Sequence, residues 1–497
     1  LFPYTTLFRS FCAGRRPVMT ERHAAYISHS GGERVAADVG IVIVYILVLV
    51  GMGLFGGRKV KGADDFAAAD KKYGAPVIFA SLAASYVGGG FSVGNAAAAF
   101  ENGVGMTAAL LGFGVVTVLV GKYIAPGVRR FQGVSSTGGI AAAAYGKGAG
   151  VLTGLCGFLC CAGVVGAQME GMGVTLHTLL GVSPTVGVLI GCGVVLLYST
   201  IGGMGAVIAA DMVQFFLLAL GMPLLLFAAL SRAGGVGAVL AATPPSFFNP
   251  LNGRSGAAFL SLLLTMALGE ALVPPYTQRL LIGKDLRAAS RGTVAAGLFS
   301  VPFFLITGLI GLTARALAVT DNAADAMPRL ILTVLPVGVR GLVMAAMVSI
   351  LLSAADGFLN GAAVSLVQDV IVPLCPTLSD KRRLFLLRVV NFLTGGAAVA
   401  AALLLPDVFG ILTAAYACWA PLMVVPLAAA LLGVRADGRT FFAAVCAGGA
   451  TAVLWRAIGS PLAVTGATVG TLANFLTFSL GARRCRRGRQ ELRLRVK

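Results

Sequence analysis

From residue 37 onward the chain is a succession of long apolar runs separated by short polar or basic breaks. Thirteen runs have the roughly 17 to 25 residues that carry a helix across a bilayer: 37–56, 74–100, 104–125, 149–178, 183–200, 204–230, 256–277, 292–315, 333–368, 387–406, 409–433, 440–457 and 462–481. The pattern predicts an all-α membrane domain of thirteen transmembrane helices over residues 37–481. Residues 1–36 start at Leu1 and open with LFPYTTLFRSFCAGRRPV, which has neither helical nor strand period. They read as a leader outside the fold, with Met19 an alternative start. Residues 482–497 read as a basic tail.

After the first run, the next ten fall into two groups of five, near 74–230 and 256–433, joined by the loop PPSFFNPLNGRSG. Each group opens with an interrupted helix. In the first, Gly88, Gly89 and Gly90 sit between apolar halves, and each glycine weakens a helix by up to about 1 kcal/mol relative to alanine. In the second, Gly269 and the Pro274–Pro275 pair interrupt the run, since proline removes a donor and clashes with the preceding turn. Five spans per half invert the second group relative to the first. Interrupted helices at matching places in two such halves predict a transporter with a central binding site.

Composition agrees with a membrane domain. Apolar residues make up 58% of the 497 residues, charged residues only 11%, and mean hydropathy is +0.91, against about 25% charged in a soluble domain. The net charge of +19 would suggest nucleic acid in a soluble chain, but its location excludes that partner. With the first span starting outside, 27 basic residues fall in inside loops and the tail, and six fall outside. Cytoplasmic loops collect Lys and Arg, so the C-terminus is expected inside a cell membrane and the start of the first span outside. The nine cysteines are scattered, and Cys156, Cys160 and Cys161 have no His or carboxylate near them in sequence, so they read as packing rather than metal ligands. Three histidines and no GxSxG, HExxH or Walker-type loop leave nothing on which to build an enzyme. Single dispersed charges also argue against a channel filter.

The chemistry concentrates in three acids, Asp211, Glu270 and Asp356, inside apolar runs. A carboxylate at mid-bilayer costs roughly 2.5 to 3.5 kcal/mol or more, so such groups face a cavity and carry function.

The segment Tyr198-Ser-Thr-Ile-Gly-Gly-Met-Gly-Ala-Val-Ile-Ala-Ala-Asp211-Met-Val-Gln214 resembles the signature of the sodium:solute symporter family, with Ala210 in place of a hydroxyl residue. Gln278-Arg279 followed by Lys284 and Arg287, the run from Ala355-Asp356 to Asn360 and on to Asp369, and Asp65-Phe66 match the same family in order and spacing over roughly 60–370. The resemblance implies a LeuT-type core of five plus five inverted helices, one helix before it and two after. It also implies a sodium site formed by the backbone of Ala84, Val87 and Ile350 and the side chain of Ser353. Ala354 stands where the family has a second hydroxyl, which leaves one ligand missing. Asp356 lies three residues beyond Ser353 on nearly the same helix face and is a candidate replacement. Asp211 and Asp356 match a second sodium position of some members. Two carboxylates in low dielectric repel, so a cation lies between them or one is protonated; sodium and proton coupling both stay open. Pairing of Asp211 with an inside base such as Lys122 is the structural alternative.

Glu270, beside the second break, is similar in position to residues lining the family's substrate cavity, and its charge suits an amine, a quaternary ammonium or a proton relay. Phe91, next to Gly88, Gly89 and Gly90, faces it from the first core helix, and Gln168 lies deep in the third, where interhelical hydrogen bonding is the plainer role. Tyr416 and Trp419 either wall the cavity or pack. The expected function is cation-coupled symport of a small organic solute by alternating access within the lipid bilayer. The alternative is a symporter-like sensor that binds solute without net transport.

Overall fold

The computed structural model describes residues 32–58, 60–68, 72–131, 133–404, 415–417 and 419–495. Most of the expected leader lies outside the described residues; residues 32–36 already belong to the first helix, Gly32–Gly57. The expected boundary at 482 is not a helix end, because Gly466–Arg495 is continuous.

Among the described residues the protein is helical, with one isolated bridge between Tyr73 and Gly283. Nine helices among the described residues are long and apolar enough to cross a membrane, and two bent pairs raise the number to eleven. Thirteen is not reached, for two reasons. The runs 183–200 and 204–230 form one helix of 50 residues, Pro184–Ala233, interrupted only where Gly203 adopts φ 55° and ψ −156°. At 1.5 Å per residue it would measure about 75 Å if straight. Gly466–Arg495 carries Thr468, Thr471, Asn474 and Thr477 along its apolar part and falls short in apolarity. Residues 409–414 of another expected span lie outside the described residues.

Local chemistry sets the helix ends. Ser183, Ser255 and Asp285 cap their helices by accepting from the amides of Val186, Ala258 and Ala288, as N-cap residues do. Asp437 caps Gly438–Ala457 through the Thr440 amide at 2.9 Å, and hydrogen bonds from Thr440 hold its carboxyl below the usual carboxylate range. Gly181, Gly234 and Gly433 close helices in the left-handed conformation, which costs glycine nothing. At Gly203 a second requirement applies, since a Cβ there would lie 2.9 Å from the carbonyl oxygen of Phe66.

Burial orders the helices around a centre. The Val339–Leu374 span is 94% buried over its most apolar stretch, against 22% for the first helix. It packs on both Lys147–Leu180 and Pro184–Ala233. Outward faces are apolar as well: Phe216, Leu220 and Phe227 are all exposed, as expected where lipid rather than water is the neighbour.

The central span is fixed by a carboxylate at each end. At one end, buried Asp38 accepts from the amides of Gly338 and Gly341 at 2.8 and 2.9 Å and pairs with Arg340 at 2.5 Å. At the other, Asp369, in a π turn at 367–371, accepts from the Ser136 hydroxyl and from the Gly138 amide at 3.1 Å. It thereby caps the short helix Thr137–Tyr145.

Both expected interruptions are present. Ala75–Tyr86 and Gly89–Asn102 meet at 48°, as do Gly256–Gly269 and Pro274–Leu281. The entry to the first pair and the exit from the second are joined by Lys284 N donating to Tyr73 O at 2.9 Å.

Candidate functional site

The first break falls at Val87–Gly88, and Gly89 and Gly90 begin the next half-helix. The glycines serve close approach as well as helix weakening. A Cβ on Gly88 would sit 2.8 Å from that of Ala354, and one on Gly89 would sit 2.4 Å from Leu351 Cδ2 and 2.8 Å from Gln168 Oε1. The break therefore presses on the central helix at the turn that carries Ile350, Ser353 and Ala354. The Val87 carbonyl, freed by the break, accepts from the Ser92 hydroxyl. The Gly89 amide, an unpaired donor at a helix start, reaches Gln168 Oε1 at 3.1 Å.

Asp211 is fully buried, and its cationic partner is Arg279, not Lys122: Arg279 Nη2 lies 2.8 Å from Oδ2, with both side chains fully buried. Ser81 donates to Oδ2 and Ser353 to Oδ1, at 2.5 and 2.7 Å. Arg279 is held in turn by Ser81 Oγ at 2.7 Å and the Pro275 carbonyl at 3.1 Å. One carboxylate thus gathers the first half-helix, the second broken span and the central helix. The guanidinium supplies the positive charge that two neighbouring carboxylates require in low dielectric.

Asp356 accepts from the Tyr198 hydroxyl at 2.5 Å through Oδ2. Its Oδ1 and both amide atoms of Asn360, one turn further along, are buried without a hydrogen-bond partner. Such orphaned atoms cost about 1–3 kcal/mol each unless another species completes them.

Glu270 sits in the second break, where Leu272 takes a φ of 56°. Tyr276 donates to Oε2 at 2.5 Å, and Tyr416 donates to Oε1. Trp419 Nε1 donates to the freed Ala271 carbonyl at 3.0 Å, so this residue caps the broken helix. Glu270, Phe91, Gln168, Gly88 and Gly90 line one small cavity of about 40 Å³. Gly89 is not among its walls, although its amide reaches Gln168. The remaining wall mixes aromatic side chains with small or aliphatic ones such as Met106, Val164 and Ala354; the Tyr86 and Tyr276 rings meet edge to face at 4.6 Å, and Tyr276 meets Phe358 at 5.7 Å. Sequence reasoning missed Tyr86, Tyr276 and Phe358. Tyr276 had a usable signal, since it directly follows the proline pair that breaks the span.

The arrangement offers two environments. One is a carboxylate in a pocket with several aromatic walls; the other is a set of carbonyl and hydroxyl oxygens where the first break meets the central helix. Ser353 commits its proton to Asp211, which leaves its oxygen lone pairs free to face a cation.

The profile of the sodium:solute symporter family matches residues 66–452. The chain is 26% identical to the sodium/glucose cotransporter of Vibrio parahaemolyticus over 67% of this chain and 68% of that protein. It is 24% identical to the human high-affinity choline transporter 1 over 75% of this chain and 68% of that protein. Among solved structures, a substrate-bound, outward-open Na+-coupled sialic acid symporter superposes with a TM-score of 0.80 at 16% identity, covering 90% of this chain and 97% of the other. A nucleobase-cation-symport-1 family transporter in a closed conformation superposes with a TM-score of 0.59 at 14% identity, covering 84% and 95%. These two likenesses speak for the fold alone.

Proposed function

Since the chain belongs to the sodium:solute symporter family, and so is a multi-pass membrane transporter rather than an enzyme, we propose that the solute it carries is a small organic cation, an amine or quaternary ammonium. The observation that carries this reading is the cavity that Glu270 shares with Tyr86, Phe91, Tyr276, Phe358 and Tyr416, of which Tyr276 and Tyr416 donate to its carboxylate. Aromatic faces attract a desolvated ammonium by about 2 kcal/mol or more, and a buried carboxylate gains most from a cationic partner. The choline transporters of human, Drosophila melanogaster and Caenorhabditis elegans among the relatives are consistent with it.

Sodium is the coupling ion of this proposal. It binds between the carbonyls of Ala84, Val87 and Ile350 and the Ser353 hydroxyl, which Asp211 orients. Ala354 lacks a hydroxyl, so the site is one side-chain oxygen poorer and its sodium affinity correspondingly lower. Arg279 already matches the charge of Asp211, so the second position predicted from Asp211 and Asp356 reduces to the open oxygen of Asp356 and the amide of Asn360. The thirteen-span count belongs to the same reading, with Pro184–Ala233 crossing twice about Gly203 and Gly466–Arg495 crossing once. The charge asymmetry supports a cytoplasmic C-terminus.

The test is uptake of radiolabelled choline into proteoliposomes under an imposed sodium gradient, an imposed proton gradient, or neither, with amines, sugars and sialic acid as competitors. Sodium-driven uptake blocked by amines supports the proposal. Blockade by sugars or sialic acid alone refutes the cationic substrate, and uptake driven only by protons refutes the sodium site.

A further inference from the structure

Away from the substrate cavity, a larger groove of about 1060 Å³ runs between Gly256–Gly269, Val425–Leu432 and Gly466–Arg495. Its polarity is graded along its length. Leu268, Ala428 and Phe475 are among its apolar walls, while Arg435, Arg483 and Arg486 line it where two of the helices reach their basic ends. All three arginines are exposed, and no acidic side chain joins them among the described lining residues. On the last helix the lining extends from Thr468 to Arg486, about 27 Å at 1.5 Å per residue. One leaflet, headgroup included, is roughly 20 to 22 Å thick. The groove therefore has the length, the apolar depth and the charged mouth of a site for one amphiphile standing upright in the membrane.

We propose that this groove binds an anionic phospholipid, with its acyl chains against Leu268, Ala428 and Phe475 and its phosphate held by Arg435, Arg483 and Arg486. Charge complementarity selects the occupant. Asp437 lies beside the mouth, where it contacts Cys485, but no carboxylate is among the described lining residues, and three guanidiniums against one such acid keep the mouth positive. They suit a phosphate monoanion, which each can meet through paired N–H donors, and basic pockets between membrane helices bind anionic headgroups in this way. A zwitterionic lipid would bring its own cation to a mouth that already holds three.

The experiment is native mass spectrometry of the full-length detergent-solubilised protein titrated with phosphatidylglycerol or phosphatidylcholine. Wild type is expected to retain phosphatidylglycerol preferentially. The triple variant Arg435→Gln/Arg483→Gln/Arg486→Gln should bind it about a hundredfold more weakly, at roughly 1 kcal/mol for each lost cation. The control Arg382→Gln/Arg383→Gln/Arg388→Gln removes equal charge from another basic segment and should bind as wild type. Ala428→Trp fills the apolar part without touching charge and should lower retention of both lipids, which keeps the test open if the triple variant does not fold. Equal retention of the two lipids by wild type, an equal loss in the control, or unchanged retention in Ala428→Trp would each overturn the proposal. So would displacement of the lipid by inorganic phosphate, which would assign the mouth to a soluble anion.

Discussion

Removing the Asp211 carboxylate is the sharpest perturbation of this architecture. In Asp211→Asn the fully buried Arg279 guanidinium would lose its ion-pair partner while keeping Ser81 Oγ, the Pro275 carbonyl and the nearby charge of Asp356. Breaking a buried ion pair by removing one partner costs about 3–5 kcal/mol, a fifth or more of the roughly 5–15 kcal/mol that keeps a typical domain folded. Arg279→Gln leaves the complementary defect, a carboxylate with two hydroxyl donors and no counter-charge. The double variant Asp211→Asn/Arg279→Gln removes both charges and should recover much of what either single change loses. The assay is equilibrium unfolding in mixed detergent, read as a double-mutant cycle over the four proteins. A coupling of about 2 kcal/mol or more is expected, well above the 0.3–0.5 kcal/mol scatter of independent sites. The double variant then isolates the role in transport. Because Ser353 loses its ionic acceptor, half-saturation by sodium should rise about tenfold or more, in line with the 1.5–3 kcal/mol of a hydrogen bond to a charged group. Additive losses in the cycle, or unchanged sodium dependence in a folded double variant, would refute the reasoning.

Three further outcomes follow from the same geometry. Gly89→Ala places a methyl group 2.4 Å from Leu351 Cδ2 and should lower both the thermal midpoint and uptake; Gly193→Ala, with nothing within 4 Å, should instead stabilise by up to about 1 kcal/mol. Tyr276→Phe and Tyr416→Phe each remove a donor to Glu270 and should shift KM for the cationic solute by about tenfold or more, whereas Glu270→Gln should abolish its uptake; concentration-dependent uptake distinguishes the three. Trp419→Phe leaves the Ala271 carbonyl without its donor and should cost about 1 kcal/mol, visible as a lower thermal midpoint with ligand binding retained.

What the sequence disclosed depended on how far apart the interacting residues lie. Gly88–Gly90 and Pro274–Pro275 break helices through their own backbone chemistry, so both interruptions were legible without any partner. Apolar run length located nearly every helix, but it could not tell that 183–200 and 204–230 join through Gly203, where the backbone of Phe66 leaves no room for a Cβ. Asp211 was legible as a buried acid because burial in an apolar run is itself a sequence property. Its partner was not: the sequence pointed to an inside base such as Lys122, whereas the fold brings it Arg279, 68 residues away. Tyr198 meets Asp356 across 158 residues, and Tyr416 meets Glu270 across 146. An aromatic residue in an apolar helix gives no periodic signal that separates such a donor from packing.

The carboxylate of Asp369 has a mechanical consequence. It is carried on the span that also presents Ser353 and Asp356, and it grips the amino end of Thr137–Tyr145. Any tilt of that span between open states must either tow the short helix along or tear away its only charged anchor among the described residues. A rocking movement of the protein's middle would thereby carry over to Thr137–Tyr145, and the little helix would act as a lever rather than a bystander.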